Sequence, residues 1–188
     1  MPVSFSRKLL FIHIPKNAGT SVVKAFNMQE EGHITIEQHK LLFPQEWKEF
    51  HKFCIVRNPW ERVVSCYEYA RMEKSYHHSV SGPSRHGKHP DYDLLKDKSF
   101  EECVDLLDTN TLTHQGWAPQ SDWVVRDNIF VLNEYIKSEN LGKYYKGVKI
   151  PHLNKSTRKI DESYYTPQAK QKVTDFYKED MERFDYEF

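Results

Sequence analysis

The chain of 188 residues lacks a net charge, because 27 lysines and arginines balance 27 aspartates and glutamates. Proteins that bind nucleic acid or an anionic membrane surface depend on a collective positive field, and the sequence has no long basic run that would create one. We therefore expect neither a nucleic-acid nor a membrane partner. Any anion that the protein binds must be held by a local arrangement of residues.

Long apolar runs are also missing. No window approaches the roughly 20 uncharged apolar residues that cross a bilayer. The start of the chain, MPVSFSRKLLFIHIPK, has too short an apolar run and no small-residue cleavage site for a secretion signal. These absences lead us to expect a cytoplasmic protein.

Cysteine is scarce, and its spacing fits neither a disulfide framework nor a zinc finger. The three cysteines are Cys54, Cys66 and Cys103. We expect reduced, buried thiols and no structural metal.

Apolar residues recur in a pattern that predicts strands alternating with helices. A buried strand over 8–14 precedes a helix over 20–28, and a strand over 52–57 precedes a helix that begins at Pro59. Further along, the pattern predicts a helix over 99–108 with a Ser99–Glu102 capping box, a strand over 128–132, a helix after it that holds Tyr135 and Ile136, and a last helix that begins at Thr166 and Pro167. This alternation is typical of an α/β fold with a mainly parallel central sheet, and the length fits a single domain over 1–188.

Residues 75–98 interrupt this pattern, because they gather Gly, Pro, Ser and His and lose apolar periodicity. Such a composition is typical of an exposed, mobile loop. The histidines in it are irregularly spaced, which favours a solvated lid over a metal site; they are His77, His78, His86 and His89.

The turn after the first predicted strand carries residues suited to binding an anion. In the segment HIPKNAGTS, Lys16, Gly19, Thr20 and Ser21 lie between a buried strand and a helix start. Backbone N–H groups at a helix start, a lysine ammonium and two hydroxyls can together hold a phosphate or its sulfate analogue. The alternative is that Thr20 or Ser21 merely caps the helix while Lys16 is solvated. The nucleoside-triphosphate pattern GxxxxGK followed by Ser or Thr is absent, so adenosine triphosphate is not the first choice.

A second group of polar residues follows the second strand. Arg57 stands at the strand end, and Ser65 lies two turns into the following helix. Arginine suits a bidentate phosphate contact, to which a serine hydroxyl can add a bond. A salt bridge and a helix-surface serine would be the alternative interpretation.

The segments IHIPKNAGTS and FCIVRNPWERVVSCY resemble the two cofactor signatures of sulfotransferases that use 3′-phosphoadenosine 5′-phosphosulfate. The similar branch contains heparan-sulfate 2-O- and chondroitin-type carbohydrate sulfotransferases and many small bacterial relatives. The resemblance continues through GHITIEQHKLLFPQEWKEF, SFEECVDLL, HQGWAPQSDWV and LNKSTRKIDESYYTPQAKQKVTDFYKEDMERFDY. It implies a P-loop-NTPase-like three-layer fold in which helices flank the central sheet.

The resemblance also implies roles for individual residues. The 5′-phosphosulfate would be held by Lys16, Asn17, Ala18, Gly19, Thr20 and Ser21, and the 3′-phosphate by Arg57 and Ser65, with Lys155 and Arg158 close to the nucleotide. His33 matches the family's catalytic histidine by its distance from Arg57 and is favoured over His39. His114 and Gln120 are candidates for contact with the substrate.

The reaction implied is transfer of a sulfuryl group to a hydroxyl of a carbohydrate or other small acceptor, without a metal. Such an in-line transfer needs a base for the hydroxyl proton, His33, and a cation for the departing phosphate oxygen, Lys16. Two rival functions are a P-loop-like nucleotide kinase or hydrolase and a non-catalytic nucleotide-binding module. The first is disfavoured by the missing Gly-Lys-Ser or Gly-Lys-Thr sequence, and the second by the presence of both His33 and Lys16.

Overall fold

The computed structural model describes residues 3–29, 32–73, 88–151, 153 and 164–188. The strands in these ranges are β1 (Val3–Ser4), β2 (Leu9–Ile12), β3 (His51–Val56), β4 (Val125–Arg126), β5 (Ile129–Phe130), β6 (Glu134–Lys137), β7 (Tyr144–Tyr145) and β8 (Val148–Lys149). The helices are α1 (Gly19–Ala25), α2 (Ile36–Leu42), α3 (Pro44–Glu49), α4 (Pro59–Ala70), α5 (Tyr92–Leu95), α6 (Phe100–Val104), α7 (Ser121–Val124), α8 (Pro167–Phe176) and α9 (Lys178–Phe184), with 3₁₀ turns at Gln115–Trp117 and Ser138–Asn140.

The central sheet has the strand order β1-β2-β3-β6. Strands β2, β3 and β6 run parallel, and β1 adds an antiparallel edge. The register places Ile12 beside Cys54, so the chain leaves β2 and β3 at the same edge of the sheet. The prediction of an α/β fold with a mainly parallel sheet is therefore confirmed.

The chain divides into two compact units, each built from two segments. The first unit combines Met1–Asn58 with Pro119–Thr157, and the second combines Pro59–Ala118 with Arg158–Phe188. The single domain predicted over 1–188 stays a prediction.

The core of the first unit forms where α1 covers the sheet. Val22, Val23 and Phe26, which the sequence places at helical spacing, are buried against residues of β2 and β3 such as Phe11 and Phe53. The burial of these apolar side chains fixes α1, and with it the turn that precedes α1.

The second unit is built around the apolar face of α4. Trp60, Val63, Val64 and Tyr67 are all buried in one cluster, as their spacing predicts. The predicted N-terminal caps of the later helices are confirmed: Ser99 and Glu102 form a capping box at α6, and the Thr166 hydroxyl accepts a hydrogen bond from the N–H of Ala169 at the start of α8.

The third strand of the parallel sheet is β6, so the prediction of a helix that holds Tyr135 and Ile136 is wrong. The predicted strand over 128–132 contributes instead to a hairpin, in which β4 and β5 pair antiparallel. Asp127 and Asn128 both have positive φ angles, 50° and 63°, which is the backbone of a tight two-residue hairpin turn. The chain then extends again at β6 and pairs with β3.

The predicted loop over 75–98 is wrong in its second part. Residues 74–87, which hold His77, His78 and His86, lie outside the described residues. Residues 92–95 form α5, where Leu95 is fully buried, and His89 and Asp91 are buried before it. The polar composition predicts an exposed loop, because a charged residue such as Asp91 is expected at the surface. In the structure Asp91 is buried instead, where hydrogen-bond donors from elsewhere in the unit surround it.

All three cysteines are buried, and none of them is joined in a disulfide, as predicted. Burial raises the pKa of the Cys54 thiol and raises that of Cys103 to about 12. Within the described ranges, no group of three or more His, Cys, Asp or Glu residues could hold a metal ion. Over the same ranges, no helix is long and apolar enough to cross a membrane.

Candidate active site

The turn between β2 and α1 has a constrained backbone. Lys16 and Ala18 both adopt left-handed conformations, with φ angles of 66° and 57°. Such a conformation costs a residue with a side chain on the order of 1–3 kcal/mol, so it persists only where neighbouring contacts enforce it. Asn17, which lies between them and is 1% exposed, supplies those contacts.

The Asn17 side chain anchors this turn to the rest of the first unit. Its Nδ2 donates to the carbonyl oxygen of Ile55 at 2.8 Å and to Oε1 of Gln120 at 2.6 Å. A carboxamide carries two N–H hydrogens, and both are used in these bonds. The Asn17 side chain thus holds the turn in place through these bonds, and the implied role of Asn17 in binding the phosphosulfate stays a prediction.

The start of α1 is free of side-chain capping among the described residues, so the alternative in which Thr20 or Ser21 caps the helix is wrong. Ala18 occupies the N-cap position. Ser21 is 1% exposed, and its Oγ accepts a hydrogen bond from the N–H of Leu153 at 3.0 Å. Thr20 is half-buried.

Gly19 allows the ring of His13 to lie directly against the start of α1. A Cβ at position 19 would stand 1.7 Å from Nε2 of His13. The His13 ring stacks on Phe11 and lies 4.2 Å, centroid to centroid, from the ring of His33. Gly19 therefore serves the packing of His13, and through it the surroundings of His33.

His33 is half-buried, and one of its ring nitrogens is bound to the backbone. Its Nδ1 lies 2.8 Å from the carbonyl oxygen of His13. A carbonyl oxygen only accepts hydrogen bonds, so Nδ1 carries the hydrogen. In the neutral ring the lone pair is then on Nε2, which is the atom that can accept a proton.

Local structure on the C-terminal side of His33 fixes its position. Thr35 and Gln38 form a capping box at the start of α2. Glu37 in the first turn of α2 accepts two hydrogen bonds from the guanidinium of Arg126 on β4, and these bonds lower the pKa of Glu37 to about 2. The Glu37–Arg126 pair thus binds helix α2 to the β4–β5 hairpin. Glu37 lies two residues after Thr35, the N-cap residue of α2.

His39 lies on the buried face of α2. It is 0% exposed, its Nδ1 donates to the carbonyl oxygen of Thr35 at 2.8 Å, and burial lowers its pKa. A fully buried ring cannot reach a dissolved acceptor. Of the two histidines weighed from the sequence, His33 is the one that is partly exposed.

Gln120 binds the backbone of Arg57 at both of its polar groups. The Arg57 N–H donates to Oε1 of Gln120 at 2.8 Å, and Nε2 of Gln120 donates to the Arg57 carbonyl at 2.9 Å. Gln120 is 0% exposed. The side chain is thus buried and bonded to the protein's own backbone, and its contact with the substrate stays a prediction.

Arg57 stands directly after β3, as predicted, and its side chain is directed toward the turn after β2. Its Nη1 lies 3.5 Å from the carbonyl oxygen of Lys16, a long hydrogen bond. Both residues are half-buried. The first unit thus places the Arg57 guanidinium beside the backbone of Lys16, and both residues are predicted to bind phosphate.

The second unit holds the predicted residues Ser65 and His114. Ser65 is half-buried on α4. His114 caps the 3₁₀ turn Gln115–Trp117, where its Nδ1 accepts from the N–H of Gly116 at 3.0 Å. One ring nitrogen of His114 therefore has a structural role. Lys155 and Arg158 lie outside the described residues.

Next to His114 is a buried carboxylate that the sequence does not reveal. Asp91 accepts hydrogen bonds from the backbone N–H and hydroxyl of Thr113, from the N–H of His114 and from the indole of Trp117. Burial alone would raise the pKa of Asp91, but these hydrogen bonds outweigh it and lower the pKa. His89 is packed against this carboxylate, its Nδ1 accepting from the Asp91 N–H at 3.1 Å.

Comparison with known protein families gives a match over most of the chain. The model of a family described as the sulfotransferase family matches residues 2–144, and this range includes the turns that carry Lys16 and Arg57. No curated protein and no solved structure matches the chain.

Proposed function

Because the chain belongs to the sulfotransferase family, we propose that it transfers a sulfuryl group from 3′-phosphoadenosine 5′-phosphosulfate to a hydroxyl of a carbohydrate or other small acceptor. The parallel strands β2, β3 and β6, with the turn of Lys16 after β2, support a P-loop-NTPase-like arrangement for this reaction.

The residues at the carboxyl edge of the sheet fit such a nucleotide. When bound, the nucleotide supplies the activated sulfuryl group. Lys16 and the start of α1 would hold its 5′-phosphosulfate, because a lysine ammonium and helix N–H groups both favour an anion. Arg57 would hold the 3′-phosphate through its planar guanidinium. Roles for Ser65, Lys155 and Arg158 at the 3′ end rest on the resemblance alone.

His33 would act as the general base. Its Nδ1–H is held by the His13 carbonyl, which keeps the lone pair on Nε2 and orients the ring. Nε2 would take the proton from the acceptor hydroxyl as the bond to sulfur forms.

Lys16 would stabilise the negative charge that grows on the departing phosphate oxygen. Since Lys16 and Arg57 supply positive charge at the proposed phosphate sites, we propose that turnover needs no metal ion. The kinase or hydrolase alternative, in contrast, would need magnesium at the phosphates.

The observation that carries the proposal is the family match over the two turns that carry Lys16 and Arg57. To test it, the protein is incubated with 3′-phosphoadenosine 5′-phosphosulfate labelled in the sulfuryl group and with a panel of hydroxyl acceptors, with and without excess EDTA. We expect label in an acceptor under both conditions. If the protein fails to bind the nucleotide, or hydrolyses adenosine triphosphate only when magnesium is present, the proposal is wrong.

A further inference from the structure

Gln120 is joined to Arg57 in the way that a neighbouring strand would be. Its carboxamide accepts from the Arg57 N–H and donates to the Arg57 carbonyl, at 2.8 and 2.9 Å. The last residue of β3, Val56, pairs with Lys137 in the sheet. The Gln120 side chain therefore extends the hydrogen bonding of the sheet by one residue, from the end of β3 to the backbone of Arg57.

The same oxygen of Gln120 also constrains the turn after β2. Oε1 accepts a second hydrogen bond from Nδ2 of Asn17, at 2.6 Å, and that nitrogen also donates to the carbonyl of Ile55 on β3. Asn17 is flanked by Lys16 and Ala18, the two residues in left-handed conformations. One carboxamide thus fixes the backbone next to Lys16 and the backbone that carries Arg57.

We propose that Gln120 is a positioning residue that sets the separation between the two phosphate sites of the nucleotide. This inference rests on the proposed function, in which Lys16 serves the 5′ end and Arg57 the 3′ end. A ligand that bridges both sites needs the correct separation, whereas a ligand that uses only the 5′ site does not. Gln120 acts through Asn17 and Arg57 and does not touch the nucleotide, since it is 0% exposed.

The inference predicts a selective change in nucleotide binding. Calorimetry would compare 3′-phosphoadenosine 5′-phosphate, which bridges both sites, with adenosine 5′-phosphate, which lacks the 3′-phosphate. We expect Gln120→Met, which removes the hydrogen bonds and keeps the length, to lower the preference for the bridging nucleotide about tenfold or more. Gln45→Met, at an exposed glutamine on α3, is the matched control and should keep the wild-type preference.

A second variant covers the case in which Gln120→Met does not fold, as judged by its melting curve. Asn17→Ala removes the link between the Lys16 turn and Gln120 but leaves the Gln120–Arg57 pair in place. We expect the preference for the bridging nucleotide to fall as it does in Gln120→Met, together with a loss of affinity for both nucleotides, because Asn17 also holds the Lys16 turn. We expect the double variant to lose little more of the preference than the more affected single variant, because both act through one network. A purely structural role would weaken both nucleotides alike or neither.

The outcomes separate this inference from the proposed function. If the wild type itself shows no preference for 3′-phosphoadenosine 5′-phosphate, the proposed function is wrong. If the wild type shows the preference and the folded Gln120 and Asn17 variants retain it, the proposed function stands and the positioning role of Gln120 is wrong.

Discussion

Replacing Gly19 with alanine tests the packing at the start of α1 most directly. The new methyl carbon would lie 1.7 Å from Nε2 of His13. To reach an ordinary contact of about 3.5 Å, the His13 ring would have to retreat by nearly 2 Å. The ring is 7% exposed and lies between Phe11 and His33, so it cannot retreat without moving a neighbour.

The expected cost follows from two opposing effects. Overpacking of a well-packed site costs about 1–3 kcal/mol. An alanine in a helix is better than a glycine by up to about 1 kcal/mol, and less at a first helical residue. We therefore expect Gly19→Ala to lower the free energy of unfolding by about 1–2 kcal/mol. Because the His13 carbonyl holds His33, turnover should fall by about 10² if the base moves by an ångström.

Chemical denaturation of four proteins measures this effect: the wild type, Gly19→Ala, His13→Ala and the double variant. Without the imidazole ring the methyl group has room, so Gly19→Ala should become neutral or slightly stabilising in the His13→Ala background. Gly142→Ala is the control. It adds a Cβ that meets no heavy atom of the described chain within 4 Å, but at a φ angle of 90°. Its cost of about 1–2 kcal/mol should not depend on His13.

The reasoning is refuted if Gly19→Ala is as stable as the wild type, or if it loses as much stability without the His13 ring as with it. Either result would mean that His13 does not occupy the space beside the start of α1.

Three further predictions concern the proposed chemistry and the second unit. His33→Ala should lower kcat by about 10²–10⁴ with nearly unchanged affinity for 3′-phosphoadenosine 5′-phosphate, whereas a folded His39→Ala should keep turnover; steady-state kinetics with the labelled donor would contradict this if His39→Ala alone abolished the reaction. Arg57→Ala should remove most of the preference for that nucleotide over adenosine 5′-phosphate in calorimetry, and an unchanged preference would reject Arg57 as the 3′-phosphate ligand. Asp91→Asn should lose about 1–3 kcal/mol at pH 7, because an amide cannot accept all the hydrogen bonds that the carboxylate accepts. The pKa of Asp91 is lowered in the folded protein, so its contribution is present above the unfolded pKa of about 4 and is lost as the pH falls through the folded value. The free energies of unfolding of Asp91→Asn and the wild type, measured from pH 7 to pH 2.5, should therefore converge as the pH falls. A difference that stays constant with pH would contradict the stabilising role of the Asp91 carboxylate.

Features that depend on neighbouring residues were predictable from the sequence. The helix start after Lys16, the cap at Ser99 and the buried face of α4 all follow from spacing within one or two turns, and the structure confirms them. The hairpin turn at Asp127 and Asn128 was missed, although its two residues favour positive φ angles. Because the pattern predicts one complete strand over 128–132, it predicts a helix for the following residues, including Tyr135.

Features that depend on distant residues were not predictable in the same way. Gln120 lies 103 residues from Asn17 and 63 from Arg57 along the chain, and nothing near it in sequence indicates that its carboxamide is buried. The resemblance identified Gln120 as a candidate functional residue, but as one in contact with the substrate. Asp91 likewise lies in a polar stretch, and its donors come from residues 113–117. Only the folded backbone brings such donors and acceptors together.

The buried thiols provide a built-in means of observing partial unfolding. Because only the thiolate reacts with alkylating reagents and burial raises the pKa of Cys54 and Cys103, these side chains should be labelled at neutral pH only when the surrounding chain opens. Cys54 belongs to the first unit, whereas Cys66 and Cys103 belong to the second. Peptide-resolved alkylation rates, measured on the unmodified protein, would therefore show which unit opens first and whether a bound nucleotide slows the opening of one unit or of both.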